Sequence, residues 1–222
     1  MTRILVKVGG AVSADSAEEI TALAAAGHEV VVVHGAGPQI SAEMERRGIP
    51  VRFVDGRRVT CEKTLDVVRD AFSEVNGALC AAIGDAAIPF FGDELGLPAT
   101  RVPELGHVGR PQPACPPPIE EALAHGRVPV VAPLAAGPLN VNADDAAAAL
   151  AVGLGADRIL FVTDVPGVLV EGGVAAAIGA TEAERLVGEG HFQGGIVPKL
   201  LAAVQAARGG VIAEIGETAV LA

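Results

Sequence analysis

Lysine is scarce in this chain, and its placement is the first sign of chemistry. Of 16 basic residues only Lys7, Lys63 and Lys199 are lysines; the other 13 are arginines. Two of the three stand beside glycines, in Lys7-Val8-Gly9-Gly10 and Gly194-Gly195-Ile196-Val197-Pro198-Lys199. A compact ammonium suits a phosphoryl oxygen in a tight space where a planar guanidinium does not. A lysine at a strand or helix end can equally lay its stem over apolar surface and keep its head in water. Asparagine is as scarce, and two of its three copies fall in Asn140-Val141-Asn142-Ala143-Asp144. One helix cap, Asn142 or Asp144, explains one polar residue there and not three. An aspartate in a first helical turn is a stabilised anion, fit to hold two ammonium groups. Arg58, in Gly56-Arg57-Arg58-Val59-Thr60, offers a two-pronged grip on a carboxylate, although it or Arg57 can also serve as a plain surface charge.

Three glycine turns follow strand-like runs: Lys7-Val8-Gly9-Gly10, His34-Gly35-Ala36-Gly37, and Asp164-Val165-Pro166-Gly167. Glycine lets the backbone approach a ligand closely, and a helix N-terminus behind it favours an anion. None of the turns fits the dinucleotide fingerprint or the Walker A pattern. No Ser/His/Asp or Cys/His set can be assembled, and the five histidines lack ligand spacing. Two lysines, an aspartate, amides and backbone turns together point to transfer of an anionic group.

These residues need a scaffold, and the composition bounds it. The 222 residues are 50% hydrophobic and 19% charged, enough for one large domain or two interlocked lobes without disulfides or structural metal. A net charge of −11 argues against nucleic acid and anionic membrane surfaces as partners. Any anion must therefore bind in a locally cationic pocket. Cys61, Cys80 and Cys115 are odd in number, without metal-like spacing, and read as reduced thiols. No signal sequence is recognised near Met1 and no apolar run approaches 18 residues, so a cytoplasmic protein is expected.

Strand-like and helix-like segments alternate. Strands are expected at residues 4–8, 30–33, 128–131, 158–162, 210–215 and 219–221. Helices are expected at 15–26, from Pro38 to about 47, 119–125, 144–154 and 196–207. A long helix to about residue 83 is placed behind Thr60 as its cap. Thr181-Glu182-Ala183-Glu184 reads as a capping box that opens another helix. Residues 90–118 read as hairpins and loops. The alternation implies an α/β fold, with a mainly parallel open sheet between helix layers.

Taken in order, the elements resemble the amino acid kinase family. They are Lys7-Val8-Gly9-Gly10, His34-Gly35-Ala36-Gly37, Gly56-Arg57-Arg58-Val59-Thr60, Glu104-Leu105-Gly106-His107-Val108-Gly109, Asn140-Val141-Asn142-Ala143-Asp144, Thr163-Asp164-Val165-Pro166-Gly167-Val168-Leu169 and Gly194-Gly195-Ile196-Val197-Pro198-Lys199. The fourth, fifth and seventh are most similar to the branch that acts on N-acetyl-L-glutamate.

The resemblance implies a three-layer αβα fold and ATP-dependent phosphorylation of that substrate's side-chain carboxylate, the second step of arginine synthesis. It makes Lys7, Lys199 and Asp144 catalytic, and gives Gly35, Ala36, Arg58, Asn140 and Asn142 to the acetylated amino acid. It gives Gly9, Gly10, Asp164, Val165, Pro166, Gly167, Val168, Leu169, Phe192, Gln193 and Gly195 to ATP. Mg²⁺ is implied with the nucleotide, and no protein residue is assigned to it. Residues 1–155 would form the acceptor lobe, with the dimer contacts, and 156–222 the nucleotide lobe.

The sequence departs from the family pattern at three points. It is short around residues 84–97, 133–139 and 170–174. It carries Ala36 where a third glycine is common. It begins two residues before its first strand, from which an arginine-insensitive homodimer is expected. The alternatives are a sister kinase on another carboxylate, such as carrier-bound aminoadipate, and an inactive member that only binds nucleotide or an effector.

Overall fold

The computed structural model describes residues 1–10, 14–170 and 172–222. Strand β1 (Arg3–Val8), helix α1 (Ala14–Ala25), β2 (Glu29–His34) and α2 (Gly37–Arg46) come first. A two-stranded hairpin follows, β3 (Phe53–Val54) and β4 (Arg57–Arg58), then the long α3 (Glu62–Ile83) and β5 (Ala87–Phe91). Next are β6 (Ala99–Arg101), β7 (Val108–Pro111), α4 (Pro117–Ala124), β8 (Val128–Ala132), β9 (Leu134–Ala135), β10 (Leu139–Val141) and α5 (Ala143–Gly153). The remainder is β11 (Arg158–Phe161), β12 (Leu169–Val170), β13 (Gly173–Val174), β14 (Ala177–Gly179), α6 (Ala180–Gly188), α7 (Ile196–Arg208), β15 (Ile212–Ile215) and β16 (Thr218–Leu221). The short stretch that includes residue 171 falls partly outside the described residues.

Among the described residues, eight strands form the central sheet, in the order β14-β16-β15-β11-β1-β2-β8-β5. Neighbours are parallel except at the β15–β16 junction. Alternate residues of a strand point to opposite faces, and the core divides on that rule. Leu5, Val31, Val33, Ile159 and Phe161 pack with α4, α5, α6 and α7. Ile4, Val6, Val8, Val30 and Val32 pack with α1 and the end of α3. The result is the expected α/β sandwich, with a sheet apolar on both sides. A smaller sheet, β6-β7-β10-β9, stands beside it.

Alanine has a specific use on the first face. Ala147, Ala148 and Ala151 of α5 and Ala202, Ala203 and Ala206 of α7 are all buried in one cluster. Small side chains let two helices approach closely, with little side-chain entropy to lose. The packing of α5 on α7 sets the distance between the two helix starts, which matters below.

Two capping expectations are corrected. Helix α3 begins after Cys61, without a side-chain cap. Thr60 is fully buried and turns its hydroxyl to the Arg58 carbonyl at 2.7 Å. Helix α6 begins after Gly179, without a side-chain cap, and Thr181 lies inside it. A strand, β14, delivers the chain there, so the helix starts earlier than the Thr-x-x-Glu pattern indicates. The stretch read as hairpins and loops from residue 90 instead opens inside a strand: β5, residues 87–91, is the end strand of the central sheet, where Pro89 is tolerated because few ladder bonds need its missing N–H.

Candidate active site

The carboxyl ends of the parallel strands β1, β2 and β11 share one edge of the sheet, where open α/β sheets place ligands. Lys7 is the penultimate residue of β1 and Asp144 lies in the first turn of α5. Lys199 lies in the first turn of α7. Lys7 Nζ is 2.9 Å from Asp144 Oδ1, and Lys199 Nζ is 3.4 Å from the same oxygen. All three side chains are buried. Burial, helped by Lys7, pulls the Lys199 ammonium below its ordinary value, and Asp144 opposes that pull. Lys199 also stands 5.6 Å from the centre of the Phe161 ring. Helix α5 is capped by Asn142, whose Oδ1 accepts from the N–H groups of Asp144 at 2.8 Å and Asp145 at 3.1 Å. Asn142 is thus the cap, and Asp144 is free to bridge the lysines.

An open cleft of about 820 Å³ lies against this group. It is lined by Lys7, Gly9, Gly10, Gly35, Ala36, Arg58, Asn140, Asn142 and Asp144, so it gathers most of the expected acceptor and transfer residues. Gly10 is where two loops nearly touch. A Cβ there would lie 2.6 Å from Gln39 Oε1 and 2.9 Å from Ala36 Cα. Gln39 Nε2 donates to the Gly10 carbonyl at 2.5 Å, tying α2 to the first glycine turn. The Gly35 N–H donates to the Val8 carbonyl at 3.0 Å, so it holds the turn together instead of facing a ligand. Ala36 has φ −146° and ψ 29° and is buried with Ile40 and Met44, so its backbone needs no glycine and its methyl fills core.

Arg58 is buried and projects from β4. Its Nη2 donates to the Gly37 carbonyl at 3.0 Å and to Ser41 Oγ at 2.8 Å, and its guanidinium stands 4.6 Å from the centre of the Phe53 ring. No carboxylate pairs with it among the described residues, and burial lowers its pKa. Asn140 Nδ2 donates to Thr60 Oγ1 at 3.0 Å, and Thr60 in turn donates to the Arg58 carbonyl. One polar chain therefore joins Arg58 and Asn140, two of the five expected acceptor residues. The Glu104–Gly109 segment supports it: His107 N–H donates to the Thr60 carbonyl at 2.7 Å, and Asn140 N–H to the His107 carbonyl at 2.9 Å.

His34 closes β2 and is fully buried. Asn76, in the middle of α3, is 3.1 Å from His34 Nε2 through its amide nitrogen, which also donates to the Val130 carbonyl at 3.0 Å. His34 Nδ1 faces the Gly35 carbonyl at 3.3 Å, consistent with a neutral ring carrying its proton there. Burial pushes its pKa down to about 4. It is a strut behind the second glycine turn.

Of the expected nucleotide residues, Gly9 and Gly10 line this cleft and the others lie outside it. Asp164, Val165, Pro166, Gly167 and Val168 form the turn after β11, and Leu169 opens β12. Thr218 holds the turn: its Oγ1 accepts from Val168 N–H at 2.8 Å and donates to the Ala175 carbonyl at 2.6 Å. Val165 is 40% exposed and Leu169 58%. Phe192 is half-buried against the core, and Gln193 and Gly195 are exposed just before α7. Sequence reasoning missed Thr60, Gln39, Asn76 and Thr218 as supports of the site. It also missed the β3–β4 hairpin, which Asp55-Gly56 signals as a two-residue turn; both residues have positive φ, +47° and +73°.

Residues 2–215 match the amino acid kinase family. The acetylglutamate kinase of Rubrobacter xylanophilus is 43% identical, over 97% of this chain and 88% of that protein. That of Solibacter usitatus is 42% identical, over 94% and 88%. Among solved structures, smu.665 from Streptococcus mutans superposes with a TM-score of 0.88 at 28% identity, covering 99% of this chain and 98% of the other. Giardia lamblia carbamate kinase bound to AMP-PNP shares the fold, with a TM-score of 0.70 at 15% identity over 99% and 98% of the two chains. The chain belongs to the amino acid kinase family.

Proposed function

We propose that the chain is an acetylglutamate kinase, moving the γ-phosphoryl group of ATP to the side-chain carboxylate of N-acetyl-L-glutamate in the second step of arginine synthesis. One observation carries the reading: two buried ammonium groups share one aspartate oxygen at the wall of a cleft that also presents an unpaired arginine. The names of the relatives at 42–43% identity support the choice of acceptor.

A glutamate side-chain carboxylate, with a pKa of about 4.3, is already ionised at neutral pH and needs no general base. A carboxylate oxygen forms the new bond to phosphorus, the bond from phosphorus to the β,γ-bridging oxygen breaks, and ADP leaves with that electron pair. Lys7 and Lys199 neutralise charge on the phosphoryl oxygens, and Asp144 aims both. Arg58 and Asn140 hold the acceptor, while the 164–169 turn with Phe192, Gln193 and Gly195 holds the nucleotide. The work is positioning and electrostatics, as phosphoryl transfer requires. ATP enters as its Mg²⁺ complex. That ion takes most ligands from phosphates and water, which suits a site whose nearest carboxylate, Asp144, is already bound by two lysines.

The division of labour, residues 1–155 for the acceptor and 156–222 for the nucleotide, is part of this proposal. So are a cytoplasmic location, where both substrates are available, and a homodimer. The sheet ends at β5, and the neighbouring α3 leaves Ser73, Gly77, Ala78 and Ala81 exposed, a flat face suited to a second copy. Light scattering at twice the chain mass is the expected result.

The decisive assay is ADP release with Mg²⁺-ATP and N-acetyl-L-glutamate, L-glutamate, L-aspartate, N-acetyl-L-aspartate or aminoadipate, with hydroxylamine trapping of the acyl phosphate. Turnover confined to N-acetyl-L-glutamate and lost in Lys199→Ala is expected. Turnover on another acceptor, or none, overturns the assignment.

A further inference from the structure

Arg57 and Arg58 are adjacent on β4, so their side chains leave opposite sides of the strand. Arg58 reaches α2, as described. Arg57 reaches the other way, to α5, where its Nη2 is 2.5 Å from Asp145 Oδ2. Both partners are largely shielded, with side-chain exposures of 19% and 10%. Burial raises the Asp145 carboxyl, Arg57 opposes it, and neighbouring Asp144 adds to the rise. Two further contacts join the hairpin to the helix starts that carry the catalytic group. Asn142 Nδ2 donates to the Gly56 carbonyl at 3.3 Å, and a Cβ on Gly56 would lie 3.3 Å from Pro198 Cβ, the residue before Lys199. The β3–β4 hairpin is therefore fastened on both flanks of the cleft.

The pair also shapes the charge at the cleft. Lys7, Lys199, Arg57 and Arg58 oppose Asp144 and Asp145, leaving the site cationic within a chain of net charge −11. Without Arg57, Asp145 stands buried one residue from Asp144, with only the weaker influence of Arg110 opposing its charge. Such an anion repels an incoming carboxylate.

We propose that Arg57 is a positioning residue: its ion pair with Asp145 latches the β3–β4 hairpin to the start of α5 and so fixes Arg58 over the acceptor cleft. Arg57 acts through Asp145 and does not bind the acceptor itself. The kinetic arm of the test rests on the acetylglutamate kinase reading, and the structural arm does not.

In the kinetic arm, Arg57→Ala and Asp145→Asn each raise the KM for N-acetyl-L-glutamate about tenfold with little change in kcat or in the KM for ATP, the pattern of lost uniform binding. The double variant is no worse than either single one by more than about twofold, because both remove one interaction. Arg57→Lys restores part of the loss. In the structural arm, hydrogen exchange of the ligand-free protein shows faster exchange of the amides of residues 53–58 in both single variants, and unchanged exchange in α5. Additive losses, or a loss in Arg57→Ala that Asp145→Asn does not share, overturn the latch and make Arg57 a direct ligand. Unchanged exchange of the hairpin overturns it as well. If the wild type fails to phosphorylate N-acetyl-L-glutamate while exchange responds as described, the function reading falls and the latch stands.

Discussion

The two sides of the site are built differently. On the proposed acceptor side Lys7, Arg58, Thr60, Asn140, Asp144 and Asp145 are all buried, and most are held by hydrogen bonds or ion pairs from other elements. On the proposed nucleotide side Asp164, Val165, Pro166, Leu169, Gln193 and Gly195 are exposed, on turns and helix starts. Thr218 secures that turn from beneath. One side is a prearranged electrostatic cage, and the other is a shelf of backbone and apolar surface. Preorganised charge stabilises a transition state because nothing must reorient during reaction. A shelf provides binding area without that cost. The contrast separates residues that should govern turnover from residues that should govern affinity.

The largest test of the contrast is at the lysine–aspartate group. Lys199→Ala should lower kcat about 10²–10³-fold, like loss of one preorganised donor, and Asp144→Ala should fall at the upper end of that range. A rise in KM with kcat intact would break the distinction. The wild-type rate should also fall on the alkaline side below the ordinary lysine range, because the protonated Lys199 is needed and burial lowers its pKa. In Lys199→Arg, whose guanidinium fits the tight site poorly but stays charged, the residual rate should lack that limb.

The next effect measures what the cage costs the fold. His34 has a folded-state pKa of about 4. In the unfolded chain it takes up a proton near pH 6.5, which the folded protein refuses until about pH 4. Its contribution is fully present above about pH 6.5 and is lost as pH falls toward 4, roughly 3 kcal/mol in all. Urea unfolding of His34→Gln should show that slope removed; an unchanged acid slope would place the strain elsewhere.

Arg58→Ala should raise the KM for the acceptor about 30-fold, as expected for loss of a charge-assisted contact, and leave the KM for ATP within about twofold. An equal rise in both constants would mean that the two sides are coupled. The smallest effect is predicted on the shelf: Leu169→Ala should raise the KM for ATP about two- to fivefold through lost apolar area, with kcat unchanged. A larger fall in kcat there would erase the contrast.

Legibility in the sequence follows the same division. Lys7 and Lys199 stand out because lysine is scarce and both lie beside glycines, Asp144 because it follows two of the three asparagines, and the sheet is readable because its strands are β-branched on both faces. The sequence leaves the cap of α5 open between Asn142 and Asp144, and the structure gives it to Asn142, whose side chain accepts from two N–H groups of the first turn. Thr60 was misread, because a threonine before a helix advertises a local cap while its actual partners, Asn140 and Arg58, come from distant elements. Thr181 failed for the same reason, with β14 setting the helix start from outside. The Arg57–Asp145 pair joins residues 88 positions apart and leaves no local pattern at all.

The place of β1 in the sheet has a consequence for how the protein is made. Its first residues form the centre strand, flanked on one side by β2, only a helix away, and on the other by β11, which begins at Arg158. On the ribosome, β1 therefore acquires one neighbour early and carries an open, apolar edge until some 150 further residues have emerged. Exposed edges of this kind invite pairing with other chains. The strand that brings Lys7 to the site is made long before the strand that encloses it, so the nascent chain passes through a long interval in which its future centre is a vulnerable surface.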